Sequence, residues 1–369
     1  MSGGVTIFIN IRIKANQYID CAGYCGSQLS LPANKNDMLD ALDKANVPYG
    51  SGEYTIAIDF CFQKYLADIL ANPSCNPSLY EVNYLVEQLN RMDSHELCVY
   101  EGVVAQSACK SAANLINATF NLGKYSFYSG FTTDKQLGEH VIENEIFPEL
   151  SQMSDEMISC LDFEKLGAML REEDGGFLTQ RGYIVPEAFE LDNCYDESLA
   201  IRPVTLCKRD PIISVLIACD EVEGNEVWLH LPASDEDISH TLDSLNVSSL
   251  DECVVLNAQC VIPAFSYGLD YNSEINLIND LAIAIKENCI ENLAKYKAVC
   301  GIEQVKEVGH AIRLAKQMDE YTLTPLHRPE NARGSVYGFI SRDRQPEQEL
   351  AELISGLESE QEQAFETTM

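Results

Sequence analysis

The chain has 369 residues, with 58 Asp and Glu against 25 Lys and Arg, a formal charge of −33, and 46% apolar residues. That apolar share excludes a disordered acidic polymer, because enough core-forming residues are present to offset conformational entropy. The charge argues against direct binding to nucleic acid or to an anionic membrane surface, since both need basic residues facing phosphate.

The length favours two or more cores. From the start, Val5 to Ile13 reads as a strand, since it lacks the basic flank and small-residue cleavage site of a signal peptide. A second strand should end at Leu31-Pro32-Ala33, followed by a helix from Lys35 to Ala45 with Met38, Leu39 and Leu42 on one face, then a strand from Tyr54 to Phe62. Ser78 and Glu81 have capping-box spacing before a helix carrying Val82, Leu85, Val86 and Leu89. Two more helices are expected near Glu96–Val104 and Ala108–Leu122.

A region at 146–205 follows, with a helix over Asp162–Glu173 stopped by Gly175-Gly176 and a hairpin or extended stretch at Phe177–Thr179 and Gly182–Val185. Beyond it the first plan returns: strand Ile212–Ile217, the turn Leu231-Pro232-Ala233, a helix with Ile238, Leu242 and Leu245, strand Val254–Phe265, and helices from Asn279, near Glu291–Cys300 and Val305–Met318. Pro346 should open a last acidic helix that frays over its final dozen residues.

The return is also visible in identities. Leu29–Val47 matches Leu229–Val247 at nine of nineteen positions. At an offset of 196, Asn83, Leu85, Leu97, Tyr100, Val103, Ile116 and Tyr125 fall on Asn279, Leu281, Leu293, Tyr296, Val299, Ile312 and Tyr321. The expected fold class is α+β, an elongated chain of small α/β modules with an internal duplication. Its expected divisions are a first unit at 1–145 (sheet module 1–65, helical module 78–145), an acidic middle module at 146–205, a second unit at 206–345 and a tail at 346–369. Tyr100 and Tyr296 should be core residues.

Chemistry is sparse. The six His are isolated, there is no His-Glu-x-x-His and no Cys-x-x-Cys, and no phosphate-loop or nucleophile-elbow motif occurs. Asp235 and Asp237 begin like a calcium loop, but His240 stands where the tight turn needs Gly. No metal, no cofactor and no enzymatic activity are therefore expected. The 14 Cys are scattered, many in apolar patterns, and read as mostly buried thiols of a reducing cytoplasm. The longest apolar run, Ile212–Cys219, is too short to cross a bilayer.

The placement of the acids is informative. Residues 1–50 hold 4 acids and 4 bases, whereas 151–250 hold 21 against 6. The candidate surface comprises Asp155, Glu156, Asp162, Glu164, Glu172, Glu173, Asp174, Glu187, Glu190, Asp192, Asp196, Glu197, Asp220, Glu221, Glu223, Glu226, Asp235, Glu236 and Asp237. One reading is solubility. The other is imitation of nucleic-acid phosphate. Duplex DNA carries one charge per ~1.7 Å, so 33 charges match roughly 56 Å of duplex. A compact globule of this length, about 54 Å across, would spread them over every face, so mimicry favours modules strung out in a row.

The Leu-Pro turn before an acidic helix, Glu81-Val-Asn-Tyr-Leu-Val86 with Leu277-Ile-Asn-Asp-Leu-Ala282, and the helix endings Leu122-Gly-Lys-Tyr125 and Met318-Asp-Glu-Tyr321 resemble the ArdA antirestriction proteins. Glu172–Tyr183 is similar to a segment of long ArdA-like proteins of mobile elements in Gram-positive bacteria. The resemblance covers most of 5–145 and 211–340. It implies a non-enzymatic, elongated DNA mimic, cytoplasmic in its bacterial host, that occupies the DNA-binding groove of type I restriction-modification enzymes. It leaves a homodimer open. The alternative is an acidic interaction or scaffold protein of a mobile element that binds another basic or DNA-binding defence protein.

Overall fold

The computed structural model describes residues 6–342 except 73, 107–110, 189, 196–203, 205, 207–209, 220–224, 267–268, 271 and 330. The tail helix expected after Pro346 lies outside the described residues. The architecture is α+β: helices interleaved with small antiparallel sheets of three strands each. Contacts divide the chain into two compact units that do not follow chain order. The first holds 1–12, 28–33 and 55–204; the second holds 13–27, 34–54 and 205–369.

In chain order the elements begin β1 (Ile9–Ala15), β2 (Ser27–Leu31), α1 (Lys35–Lys44) and β3 (Tyr54–Cys61), with strand order β2-β1-β3. Strand β1 alternates as expected of a half-buried strand, with Ile9, Ile11 and Ile13 fully buried and their neighbours partly exposed. Helices α2 (Lys64–Leu70), α3 (Leu79–Arg91), α4 (Ser94–Gln106) and α5 (Ala112–Phe120) follow. The Ser78–Glu81 capping box forms in full, so two orphan N–H groups of α3 are satisfied by side chains.

Strand β4 (Tyr125–Ser129) comes next, then α6 (Asp134–Glu143), α7 (Asp155–Ile158), α8 (Phe163–Asp174), and the hairpin β5 (Phe177–Leu178) and β6 (Gly182–Pro186). Strand β6 pairs with both β5 and β4, so residues 177–186 share a sheet with Tyr125–Ser129. Helices α6 and α8 cross at touching backbones. A Cβ on Gly138 would fall on the carbonyl of Phe163, and one on Gly167 on the carbonyl of Asp134. Val141, Leu150 and Leu170 form the small core beside that crossing. Arg171 closes it with a two-bond pair to Asp134, at 2.8 and 3.1 Å.

The second half carries β7 (Ile213–Cys219), β8 (Glu226–Leu231), α9 (Asp235–Leu245), β9 (Cys253–Cys260), α10 (Pro263–Ser266), α11 (Ile275–Asn288), α12 (Leu293–Ile302), α13 (Val308–Lys316), β10 (Tyr321–Thr324), β11 (Arg333–Ser335) and β12 (Gly338–Arg342). Two expectations need correction. The strand read as Val254–Phe265 ends at Cys260, because Pro263 opens a helical turn, a position that suits its fixed φ. The cysteines are not mostly buried: of the twelve described, Cys75, Cys253, Cys260, Cys289 and Cys300 are buried, three are half-buried and four are exposed.

The same local devices recur in both halves. Strand orders are β2-β1-β3 and β8-β7-β9, then β4-β6-β5 and β10-β12-β11. The Ala33 N–H donates to Asn83 Oδ1 at 2.7 Å, and the Ala233 N–H to Asn279 Oδ1 at 2.9 Å. Tyr100 and Tyr296, both fully buried, donate their hydroxyls to the carbonyls of Leu115 and Ala311. Asn46 and Asn246 end their helices with left-handed φ of 53° and 56°.

Candidate functional site

Helix α8 places the densest acids of the first unit. Asp162 caps it by accepting from the Lys165 N–H, and Gly175 ends it at φ 62°. Asp162, Glu164, Glu172 and Glu173 are exposed, as is Glu156 on α7, which Asp155 opens. Asp174 is half-buried and accepts from the Tyr183 hydroxyl at 3.1 Å. Burial and then the Asp174 carboxylate push the Tyr183 phenol up, so it stays a donor.

Helix electrostatics separates these acids into two kinds. Asp235, Glu236 and Asp237 sit in the first turn of α9, where the positive end of the helix favours carboxylates. Ser234 and Asp237 there form a capping box, and the Ser234 hydrogen bonds hold the Asp237 carboxyl below its ordinary value. Helix stability explains that cluster. Glu172, Glu173 and Asp174 occupy the last turn of α8, where a carboxylate opposes the dipole by roughly 0.3–1 kcal/mol each. Local stability does not explain them.

Beyond β6, Glu187, Glu190 and Asp192 are exposed on a segment that belongs to no helix or strand among the described residues. Glu187 pairs with the Ser126 hydroxyl, and Asp192 with Lys124 at 2.8 Å. Glu226 is exposed at the start of β8. Asp196, Glu197, Asp220, Glu221 and Glu223 lie outside the described residues. Every other candidate acid whose exposure is described is thus solvent-facing, Asp174 excepted.

Sequence reasoning missed a buried ion cluster in the second unit. The Lys297 side chain, 1% exposed on α12, donates to Asp40 at 3.0 Å and Asp43 at 2.7 Å, both on α1. Lys44 and the Tyr337 hydroxyl also donate to Asp40, at 2.7 and 2.8 Å. Burial would raise the Asp40 carboxyl, but Lys297, Lys44 and Tyr337 outweigh it and hold it below the usual range; at Asp43 burial outweighs Lys297 and pushes the carboxyl up. The available signal was charged residues at inward positions, and the 254 to 257 residues between partners hide it.

Clefts occur among the described residues of both units. One of about 400 Å³ in the first unit is lined by Val103, Asn114, Tyr125, Phe177 and Asp192 among others. One of about 450 Å³ in the second contains Lys35, Asp210 and the cross-strand pair Ser214–His230, whose Oγ and Nδ1 are 2.9 Å apart. Burial pushes the thiols of Cys260, Cys289 and Cys300 up to about 12, far from the thiolate a nucleophile needs. No family model, curated protein or solved structure matches the chain.

Proposed function

We propose that the protein is an antirestriction DNA mimic of the ArdA type, built by internal duplication, whose carboxylates occupy the DNA-binding groove of a type I restriction-modification enzyme. One observation carries the reading: exposed Glu172 and Glu173, with Asp174, crowd the helix end that disfavours them. Carboxylates placed against local stability are what a surface built for outward charge requires. The repeated strand orders and the matched Asn83/Asn279 and Tyr100/Tyr296 bonds support the duplication.

Inhibition in this reading is competition. Lys and Arg of the enzyme's groove meet fixed carboxylates in place of phosphates, so association is steered and falls with salt. Each exposed pair contributes about 0–1 kcal/mol, so loss by substitution is graded. The test adds the purified chain to a type I methyltransferase and titrates DNA. The expected result is inhibition relieved by excess DNA, and weakening by at most about a hundredfold when Glu172, Glu173 and Asp174 are neutralised together. Inhibition that DNA does not relieve, or its abolition by one conservative substitution at an exposed acid, contradicts the proposal. Untouched methylation and restriction would favour the alternative of an acidic scaffold.

A further inference from the structure

Helix α5 and the turn after it hold an irregular acidic segment by its main chain. Asn121, 1% exposed, accepts from the Asp192 N–H at 2.8 Å and donates to the Asp192 carbonyl at 2.9 Å. One helical turn earlier, Asn117 accepts from the Tyr195 N–H at 2.8 Å and donates to the Tyr195 carbonyl at 2.7 Å. Each amide thus supplies the two-bond pairing that a neighbouring strand would otherwise give. Asn117 also donates to Asn193 Oδ1 at 2.7 Å.

Lys124 extends the grip. Its Nζ donates to the Glu190 carbonyl at 2.9 Å and pairs with Asp192, while its own carbonyl accepts from the Glu187 N–H at 2.8 Å. At the far end the Tyr195 ring stacks on Tyr84, with centroids 6.4 Å apart. Asn is a poor helix former because its side chain competes for backbone bonds, so its use at 117 has no helical rationale. At the offset that relates the halves, the equivalent positions are Arg313 and Gln317, so this grip belongs to the first half.

We propose that Asn117, Asn121 and Lys124 are positioning residues that hold the main chain at Glu187, Glu190, Asp192 and Tyr195 and so fix Glu187, Glu190 and Asp192 in space for the target. The inference rests on the DNA-mimic reading, and it assigns part of the mimic's rigidity to neutral side chains. Pre-organisation matters because carboxylates on a free loop would lose ordering entropy on binding that a fixed array has already lost. Removing the asparagines changes no charge, which separates position from electrostatics.

The experiment combines amide hydrogen exchange with methyltransferase inhibition across a salt series. In Asn121→Ala, exchange at Asp192 should rise roughly tenfold and at Tyr195 little; in Asn117→Ala the order reverses. Exchange in α8, in the same unit, should not change in either, which reports that the fold persists. The double variant should inhibit several-fold less well with an unchanged salt slope, whereas Glu190→Gln with Asp192→Asn should lower the slope and leave exchange at Tyr195 alone. Unchanged exchange at Asp192 and Tyr195 would overturn the clamp. Raised exchange with full inhibition would overturn its positioning role. A wild-type chain that inhibits nothing would sink the mimic reading, and the positioning role with it, while the exchange data still decide whether the clamp exists.

Discussion

Helices α1 and α9 lie in related stretches of sequence and differ in environment. Residues 29–47 and 229–247, which contain them, share nine of nineteen positions, including Asp37/Asp237, Leu42/Leu242 and Asp43/Asp243. Both helices follow a cis Leu-Pro bond, both have a side-chain N-cap and both end at a left-handed Asn. Yet α1 buries five consecutive residues, Met38 to Leu42, whereas α9 buries only Thr241 and Leu245. The difference is one of partners. Lys297 and Tyr337 receive Asp40 and Asp43, while the matching His240 and Asp243 of α9 face solvent. Asp37 and Asp237 stand in both first turns and a left-handed Asn ends both helices; Asp40, where α9 has His240, and the buried Lys297 that receives it with Asp43 set α1 apart.

Removing the cation should have the largest effect. Lys297→Ala leaves buried Asp40 and half-buried Asp43 without their main partner, and unfolding should become easier by about 3–5 kcal/mol in a denaturant titration. Adding Asp40→Asn and Asp43→Asn to Lys297→Met should return most of that loss, since no buried charge remains unpaired. If Lys297→Ala unfolds like the wild type, the cluster does not hold α1.

Acid distinguishes the helices next. The Asp40 carboxyl is held below its ordinary value in the folded chain, so its contribution is full above the unfolded value of about 3.9 and is lost as pH falls through the lower folded value. Asp43 is pushed the other way and works in the opposite sense, its contribution being lost as pH rises through the folded value. The measurement is therefore made in Asp43→Asn, where stability should fall below about pH 4 and where adding Asp40→Asn should flatten the profile. An unchanged profile on adding Asp40→Asn would contradict the assignment.

Smaller effects test what the helices share. Asn34 accepts from the Asp37 N–H and Ser234 from the Asp237 N–H, so Asn34→Ala and Ser234→Ala should each cost about 1 kcal/mol, alike within error. A cost at one helix alone would show that the caps are not equivalent. The smallest effect is expected at Asp243→Asn, within about 0.5 kcal/mol in thermal melts, because exposed charges contribute little.

What was readable in the sequence follows from range. The capping box at Ser78–Glu81, the stop at Gly175 and the core role of Tyr100 and Tyr296 depend on local spacing or on matched positions, and the structure carries each. Strand ends were misread where a local rule was missed, as at Pro263. The pairing of β4 with β6, the touching glycines 138 and 167 and the Lys297 cluster join segments far apart, and no periodic pattern marks such partners. For the candidate site, the sequence supplied the acids but not their grouping. Helix position alone separates Glu172–Asp174 from Asp235–Asp237, and the bonds of Asn117 and Asn121 to residues 192 and 195 have no signature in composition.

The central claim is that outward carboxylates substitute for DNA phosphates. It is tested most directly by measuring the affinity of the full chain for a type I methyltransferase over a range of salt concentrations. Binding should weaken steeply and linearly on a logarithmic salt scale, duplex DNA should compete for it, and neutralising Glu172, Glu173 and Asp174 should make the slope shallower. Binding that ignores salt and persists in the presence of saturating DNA would contradict it.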